Sequence, residues 1–212
     1  LSSKGKKICG YTAPAKSTTL INFSRLNSNL IDKVFDNTKA KIAKNYDAKI
    51  PFMRPKKLAR DTTTTEEVLL HVIKELKDLK YDFDTIMLRD CTVPFIDKQD
   101  MKKALEIFYK NKCNAVFASI KAHPNPYFGM MEIKKNGYLI QSKIPKSNVT
   151  RRQDAPIVYN VDGMFILDVK YFLKTKKISS GKIIPFEITK EHGHMIDFEF
   201  DFKVAELLVN NY

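Results

Sequence analysis

Between Asp84 and Ile120 the chain runs from a short apolar segment through an amphipathic stretch to a second apolar segment, and this order constrains the fold most. Thr85-Ile86-Met87-Leu88 is bounded by charge and too short for a helix, so it reads as a buried strand. After it, Met101, Ala104, Leu105 and Phe108 recur at helical spacing, with Asp97 and Asp100 at the start and Lys110 and Lys112 at the end. Acids first and bases last suit the helix macrodipole, so the spacing predicts a helix. Asn114 to Ile120 reads as another buried strand, which completes a β-α-β unit with parallel strands and a right-handed crossover.

Upstream, Val68, Leu69, Val72, Ile73, Leu76 and Leu79 form one apolar helical stripe, capped by Thr64 or Thr65 with Glu66 and Glu67. Downstream, Tyr138 to Gln141, Met164 to Val169 and Ile183 to Ile188 read as strands, and Phe202 to Val209 as a closing helix capped by Asp201. Strands alternating with helices predict an α/β fold with a mostly parallel sheet. The whole chain, 1–212, reads as a single domain, with Lys134 to Asn160, rich in polar and turn residues, as an excursion toward a partner subunit. In such sheets ligands bind beyond the carboxyl ends of the strands, which draws attention to Arg89 to Pro94, Lys121 to Pro126 and the stretch around Asp168.

With 43% hydrophobic and 29% charged residues the composition excludes disordered and collagen-like chains. Cys9, Cys91 and Cys113, odd in number and far apart, give neither a disulfide framework nor a zinc knuckle. No apolar run is long enough for a membrane span and no signal peptide is visible, so a cytoplasmic location is expected. The net charge of +13 calls for an anionic partner, either nucleic acid or a small anionic substrate. Only six of the 37 basic residues are arginine and the lysines are scattered, which favours a local anion site over a nucleic-acid face.

Several segments carry groups suited to such a site. Ser3-Lys4-Gly5 is a small-residue turn able to wrap phosphate oxygens. Arg54 to Asp61, followed by Thr62-Thr63-Thr64-Thr65, joins cations and hydroxyls to a helix amino terminus, a combination that can hold a base, a ribose and an anion. His123 sits in a turn stiffened by Pro124 and Pro126, and Arg152 with Gln153 offers a guanidinium fork beside an amide, suited to a carboxylate and its neighbouring hydroxyls. Glu191-His192-Gly193-His194 lacks the spacing of a zinc helix. Asp197, Glu199 and Asp201 alternate with Phe198, Phe200 and Phe202; on a strand that places the three carboxylates on one side, where hard oxygen ligands suit magnesium.

In this order the segments resemble the acylneuraminate cytidylyltransferases. The resemblance rests on Ser3-Lys4-Gly5, Asp36, Pro51 to Pro55 with Leu58-Ala59 and Asp61, Thr92 and Pro94, His123-Pro124, Arg152-Gln153-Asp154 with Pro156 and Tyr159, Gly163, and Ile196-Asp197 with Asp201-Phe202. It implies a Rossmann-like, three-layer nucleotidyltransferase fold, a homodimer, and transfer of CMP from CTP to an acidic nine-carbon sugar with magnesium and release of pyrophosphate. It further implies catalytic roles for Lys4 and Asp197. Ser3, Gly5, Arg54, Thr63, Thr64, Thr65 and Asp90 would lie on the nucleotide, and His123, Arg152, Gln153 and Asp162 on the sugar. Asp197 and Glu199 would hold the metal.

The chain also departs from the family. A hydrophobic strand precedes the Ser-Lys-Gly loop there, whereas this chain begins at Leu1 and passes from Gly5 to Lys6-Lys7-Ile8. Asp90 replaces a glutamine and Asp162 an asparagine, while Met195 stands where a second metal aspartate is usual, a loss that Glu199 can offset. Two other readings stay open here. The amino-terminal differences suit a nucleotide- or sugar-binding relative without turnover, and the charge alone suits a nucleic-acid-binding protein.

Overall fold

A computed structural model describes residues 8–12, 33–35, 52–60, 62–145 and 149–209, the first two stretches as backbone. Strands β1 (Ile8–Thr12) and β2 (Lys33–Phe35) precede helix α1 (Thr65–Asp78), strand β3 (Thr85–Arg89), helix α2 (Lys98–Lys110) and strand β4 (Ala115–Lys121). A short hairpin, β5 (Met131–Ile133) and β6 (Leu139–Gln141), follows. Strand β7 (Tyr159–Asp168), helix α3 (Val169–Thr175), strand β8 (Ile183–Glu187) and helix α4 (Glu199–Val209) complete the described chain.

Both expected caps are present as reciprocal capping boxes, Thr64 with Glu67 before α1 and Asp97 with Asp100 before α2. The two helices cover opposite faces of one sheet because the side chains of its strands alternate. Ile86 and Leu88 of β3, Ala115 and Phe117 of β4, and Leu167 of β7 pack with Val68, Leu69, Val72, Ile73 and Leu76 of α1. Met87, Val116, Ala118, Met164 and Ile166 point the other way, against Met101, Ala104, Leu105 and Phe108 of α2. This buried apolar surface on both faces is the core of a three-layer α/β fold.

The sheet order is β2-β1-β3-β7-β4-β8. Neighbours β1 and β2, β1 and β3, and β4 and β8 are parallel, so the sheet is mostly parallel as expected. The strands of the β3-α2-β4 unit are parallel as expected, but they are not neighbours. Strand β7 lies between β3 and β4 and runs antiparallel to both. Asp168 is displaced by the same reversal. It pairs with Thr85 at the amino-terminal end of β3, so the stretch around it lies at the edge away from the strand carboxyl ends. A strand also stands beside β3 in the form of β1, which the amino-acid pattern did not reveal.

Two further expectations change. Leu139–Gln141 forms a strand, but in a separate two-stranded hairpin whose apolar residues Met131, Ile133 and Leu139 are exposed. Tyr159 and Asn160 belong to β7, so the polar excursion returns to the sheet earlier than expected. Asp197 to Phe202 is not a strand. Glu199 opens α4, and Asp201, in its first turn, accepts the backbone N–H of Phe198 at 2.9 Å and of Asp197 at 3.1 Å. Those two bonds satisfy donors that a helix start leaves free, and they favour a helix over the extended alternative.

Candidate active site

Reversal of β7 brings its first residues to the carboxyl edge of the parallel strands. Lys121 at the end of β4 pairs with Tyr159, and Ser119 pairs with both Val161 and Glu187. Asp90 follows β3 at the same edge, where Arg89 pairs with Met164. Between Phe117 and Ser119 the register shifts: β4 advances one side-chain pair while β7 runs from Phe165 to Val161. This bulge contains Asp162 and Gly163, the latter at φ +76. A Cβ on Gly163 would stand 2.8 Å from Val93 and Ile96, so both backbone angle and space require glycine there.

Two loops meet around the bulge. The N–H of Asp90 donates to the Gly163 carbonyl at 2.9 Å, and the N–H of Ile196 donates to the Thr92 carbonyl at 2.8 Å. Asp90 also accepts the N–H and the hydroxyl of Thr92, which closes a tight turn. Asp162 accepts the N–H of Gly163 at 2.7 Å. Burial raises the Asp162 carboxyl above its ordinary range, and the neighbouring charges of Asp90 and Asp197 raise it further. Donor atoms of Asp90, Asp162 and Asp197 do not all lie within 4.8 Å of one another, so these carboxylates suit magnesium as one or two ligands, with substrate phosphates and water completing its shell. Glu199, at the start of α4, pairs with Lys203 at 3.1 Å in solvent.

Beneath this group lies Arg89, only 2% exposed. Its Nη1 donates to the Gly163 carbonyl at 2.5 Å, and its Nη2 donates to the carbonyls of Val93 and Ile96 at 3.0 and 3.3 Å. Burial lowers its proton affinity to about 10, against the favourable charges of Asp90 and Asp100, so it stays a cation at neutral pH. The amino-acid pattern set this arginine apart only as the first residue after the Thr85 to Leu88 run, since its burial depends on the strand order.

A cleft of about 290 Å³ opens beside it, lined by Arg54, Ala59, Arg60, Thr63, Thr64, Thr65, Leu88, Arg89 and Asp90 among others. The residues expected at the nucleotide from Arg54 to Asp90 therefore share one cavity, with the start of α1 forming part of its wall. Pro55 begins a 3₁₀ turn (Lys56–Leu58), and Arg60 Nε donates to the Lys57 carbonyl at 2.9 Å. The Thr64 hydroxyl is spent on the α1 cap, where it accepts the Glu67 N–H at 3.2 Å, so Thr63 and Thr65 are better placed to offer hydroxyls to a ligand. Ser3, Lys4 and Gly5 lie outside the described residues.

On the other side of β7, His123 Nε2 and Arg152 Nη1 are in contact, and the Arg152 guanidinium stands 6.0 Å from the centre of the Phe128 ring. Arg152, Gln153 and Asp154 form a 3₁₀ turn whose side is braced by Arg151, which holds Asp154 through two bonds at 2.8 and 3.1 Å. Asn125 ties the His123 turn to this segment through the Pro156 carbonyl at 2.8 Å. Lys121, Glu187 and Tyr159 form a further polar group at the same edge, with Glu187 accepting from Lys121 at 3.1 Å and from Tyr159 at 3.2 Å. Its members come from three strands, so only the register reveals it. Of the Glu191 to His194 cluster, His192 Nδ1 meets Asp100 at 2.5 Å and His194 Nε2 donates to the Asp201 carbonyl at 2.7 Å. Donor atoms of Asp97, Asp100 and His192 lie within 4.8 Å of one another, but both carboxylates already accept the N–H groups of the α2 capping box.

The three-layer architecture with this sheet order is a Rossmann-like nucleotidyltransferase fold, with carboxylates and a cationic cleft at its strand ends. Solved structures agree on the fold. A 4-diphosphocytidyl-2C-methyl-D-erythritol synthase from Anaerococcus prevotii superposes with a TM-score of 0.64 at 17% identity, covering 97% of this chain and 99% of its own. CMP:2-keto-3-deoxy-manno-octonic acid synthetase complexed with CTP superposes with a TM-score of 0.63 at 12% identity, covering 98% and 100%.

By sequence the chain is 27% identical over 188 residues to the post-translational flagellin modification protein B of Campylobacter coli, covering 88% of this chain and 79% of that one. It is 29% identical over 189 residues to the CMP-N,N'-diacetyllegionaminic acid synthase of Campylobacter jejuni, with the same coverage of 88% and 79%. To the N-acylneuraminate cytidylyltransferase of Oncorhynchus mykiss it is 26% identical over 168 residues, covering 78% of this chain and 37% of that one. Relatives named as CMP-legionaminic and pseudaminic acid synthases and as N-acylneuraminate cytidylyltransferases thus match most of the chain at 22–30% identity. A model described as the C-methyltransferase C-terminal domain matches residues 1–76, a stretch that stops short of Asp90, Asp162, Arg152 and Asp197.

Proposed function

We propose that this protein transfers CMP from CTP to an acidic nine-carbon sugar, a sialic acid or related nonulosonate, and releases pyrophosphate. The observation that carries the reading is the cleft lined by Arg54, Thr63, Thr64, Thr65 and Asp90, with the Asp162–Gly163 bulge bonded to Asp90 at its edge. The relatives named for CMP-sugar synthesis support it. In this reading Arg54, Thr63 and Thr65 hold the cytidine side, with Thr64 fixing the wall of the cleft through its cap. Ser3, Lys4 and Gly5 contribute to the triphosphate side. Arg152, Gln153 and His123 receive the sugar, with the guanidinium fork on its carboxylate. Asp162 stands between the two substrates.

The anomeric hydroxyl attacks the α-phosphorus as the bond to the bridging oxygen of pyrophosphate breaks, and the hydroxyl proton is released. The protein's part is positioning and charge neutralisation. Asp197, with Asp90 and Asp162, would hold magnesium, which would supply neutralisation of phosphate charge; Glu199 is paired with Lys203 in solvent. No described helix is long and apolar enough to cross a membrane, which agrees with a cytoplasmic enzyme working where CTP is made. The exposed Met131, Ile133 and Leu139 of the hairpin form an apolar face suited to a second copy of the chain, and sedimentation at working concentration should show a dimer.

The test is incubation of the folded protein with CTP, magnesium and a panel of acidic nine-carbon sugars. Pyrophosphate release dependent on one of them is expected. CTP binding without release from any sugar would instead support a relative that has lost turnover.

A further inference from the structure

The cytidylyltransferase reading needs carboxylates held close together before any cation arrives, and their mutual repulsion opposes that arrangement. The structure contains a device placed to hold them. The Gly163 carbonyl accepts from the Asp90 N–H at 2.9 Å and from Arg89 Nη1 at 2.5 Å, while the Gly163 N–H donates to Asp162 at 2.7 Å. The two peptide groups flanking the Gly163 Cα thus link both aspartates, and the guanidinium grips the carbonyl of the second from inside the protein. Through Nη2 the same side chain holds the carbonyls of Val93 and Ile96, which fixes the loop from Asp90 to the start of α2.

We infer that Arg89 is a positioning residue for the divalent-cation site: it sets the spacing of Asp90 and Asp162 through Gly163 and supplies a fixed positive charge behind them. This rests on the assignment of those carboxylates to a cation in the cytidylyl transfer.

Three features separate this role from ordinary core packing. All three hydrogen bonds of Arg89 run to carbonyls of the loop and bulge that carry the site, and none to the rest of the core. Its Nε is buried with no hydrogen-bond partner among the described residues, a cost that an apolar side chain of the same length would avoid. Its charge is also balanced at a distance, by Asp90 and Asp100, rather than by a carboxylate bonded to it. A buried cation kept under these conditions is best explained by what it does for the anions above it.

The test uses the full chain and manganese(II) as a spectroscopic probe of the cation site. Electron paramagnetic resonance would follow manganese binding in the presence of CTP, for the wild type, Arg89→Met and Arg89→Lys, with circular dichroism to establish folding. For folded Arg89→Met, manganese affinity is expected to fall about tenfold or more, kcat to fall with it, and CTP affinity in EDTA to stay within about threefold. Arg89→Lys keeps the charge but cannot span three carbonyls, so a smaller loss of about threefold is expected. Should Arg89→Met not fold, Arg89→Lys decides. Wild-type manganese affinity and magnesium dependence in either folded variant would overturn the inference, as would a wild type that binds no manganese. A wild type that binds manganese, and loses it on Arg89→Met, yet turns over no sugar would uphold the positioning role and reject the proposed reaction.

Discussion

The backbone N–H of Asp90 donates to the carbonyl of Gly163 at 2.9 Å, so the loop after β3 and the bulge in β7 are joined at one peptide group. Two carboxylate-bearing residues that lie far apart in sequence become neighbours through it. Gly163 is the weak point of the arrangement, since a side chain there meets Val93 and Ile96 at 2.8 Å with φ at +76.

Gly163→Ala is therefore expected to destabilise the protein by about 2–3 kcal/mol, the combined cost of overpacking and of a positive φ. Thermal unfolding should show a fall in Tm of roughly 4–12 °C for a chain of this size. Turnover should fall more than CTP binding does, because the carboxylates shift while the Arg54 side of the cleft stays in place.

The threonines at the start of α1 should separate into two kinds. Thr64 closes a capping box with Glu67, so Thr64→Ala should cost about 1 kcal/mol of stability and change KM for CTP little. Thr63 lines the cleft without that duty. Thr63→Ala should leave Tm nearly unchanged and raise KM for CTP several-fold. Paired melting and steady-state measurements on the two variants check this, and the reverse pattern would remove the threonines from the nucleotide side.

These caps were legible in the sequence because they are local: Thr64 and Glu67, or Asp97 and Asp100, are three residues apart and precede a periodic apolar stripe. The apolar runs of β3 and β4 were legible for a similar reason. The insertion of β7 between them was not, since periodicity records which residues are buried and not which strand lies beside which. Arg89 stood out only as the first residue after the Thr85 to Leu88 run; its burial and its bond to the Gly163 carbonyl of β7 depend on the strand order. The alternation of Phe198, Phe200 and Phe202 gave a false strand signal. All three rings are exposed, so their spacing reports no buried face, and the bonds that Asp201 makes to two backbone N–H groups start a helix instead. Arg54, the threonines, Asp90, Asp162 and Asp197 were all named from residue type and family resemblance. Their mutual geometry required the fold.

Asp201 carries a pH dependence of defined sign. The backbone N–H groups of Phe198 and, next, Asp197 hold its carboxyl below the ordinary value of 3.8. A depressed folded value means that the contribution is complete above the unfolded value and is lost as pH falls through the folded one. Asp201→Ala should lower Tm at neutral pH, and the gap from wild type should close as pH falls below the carboxylate range. A gap independent of pH would assign the effect to packing instead.

The central claim is that a sugar hydroxyl displaces pyrophosphate from the α-phosphorus of CTP at the site bounded by Arg54, Arg152 and Asp197. Mass spectrometry of a reaction with a nonulosonate carrying oxygen-18 at the anomeric hydroxyl tests it most directly. The label is expected in the CMP-sugar and absent from the released pyrophosphate. A nucleotide sugar without the label, or none formed by folded protein supplied with CTP and magnesium, would contradict it.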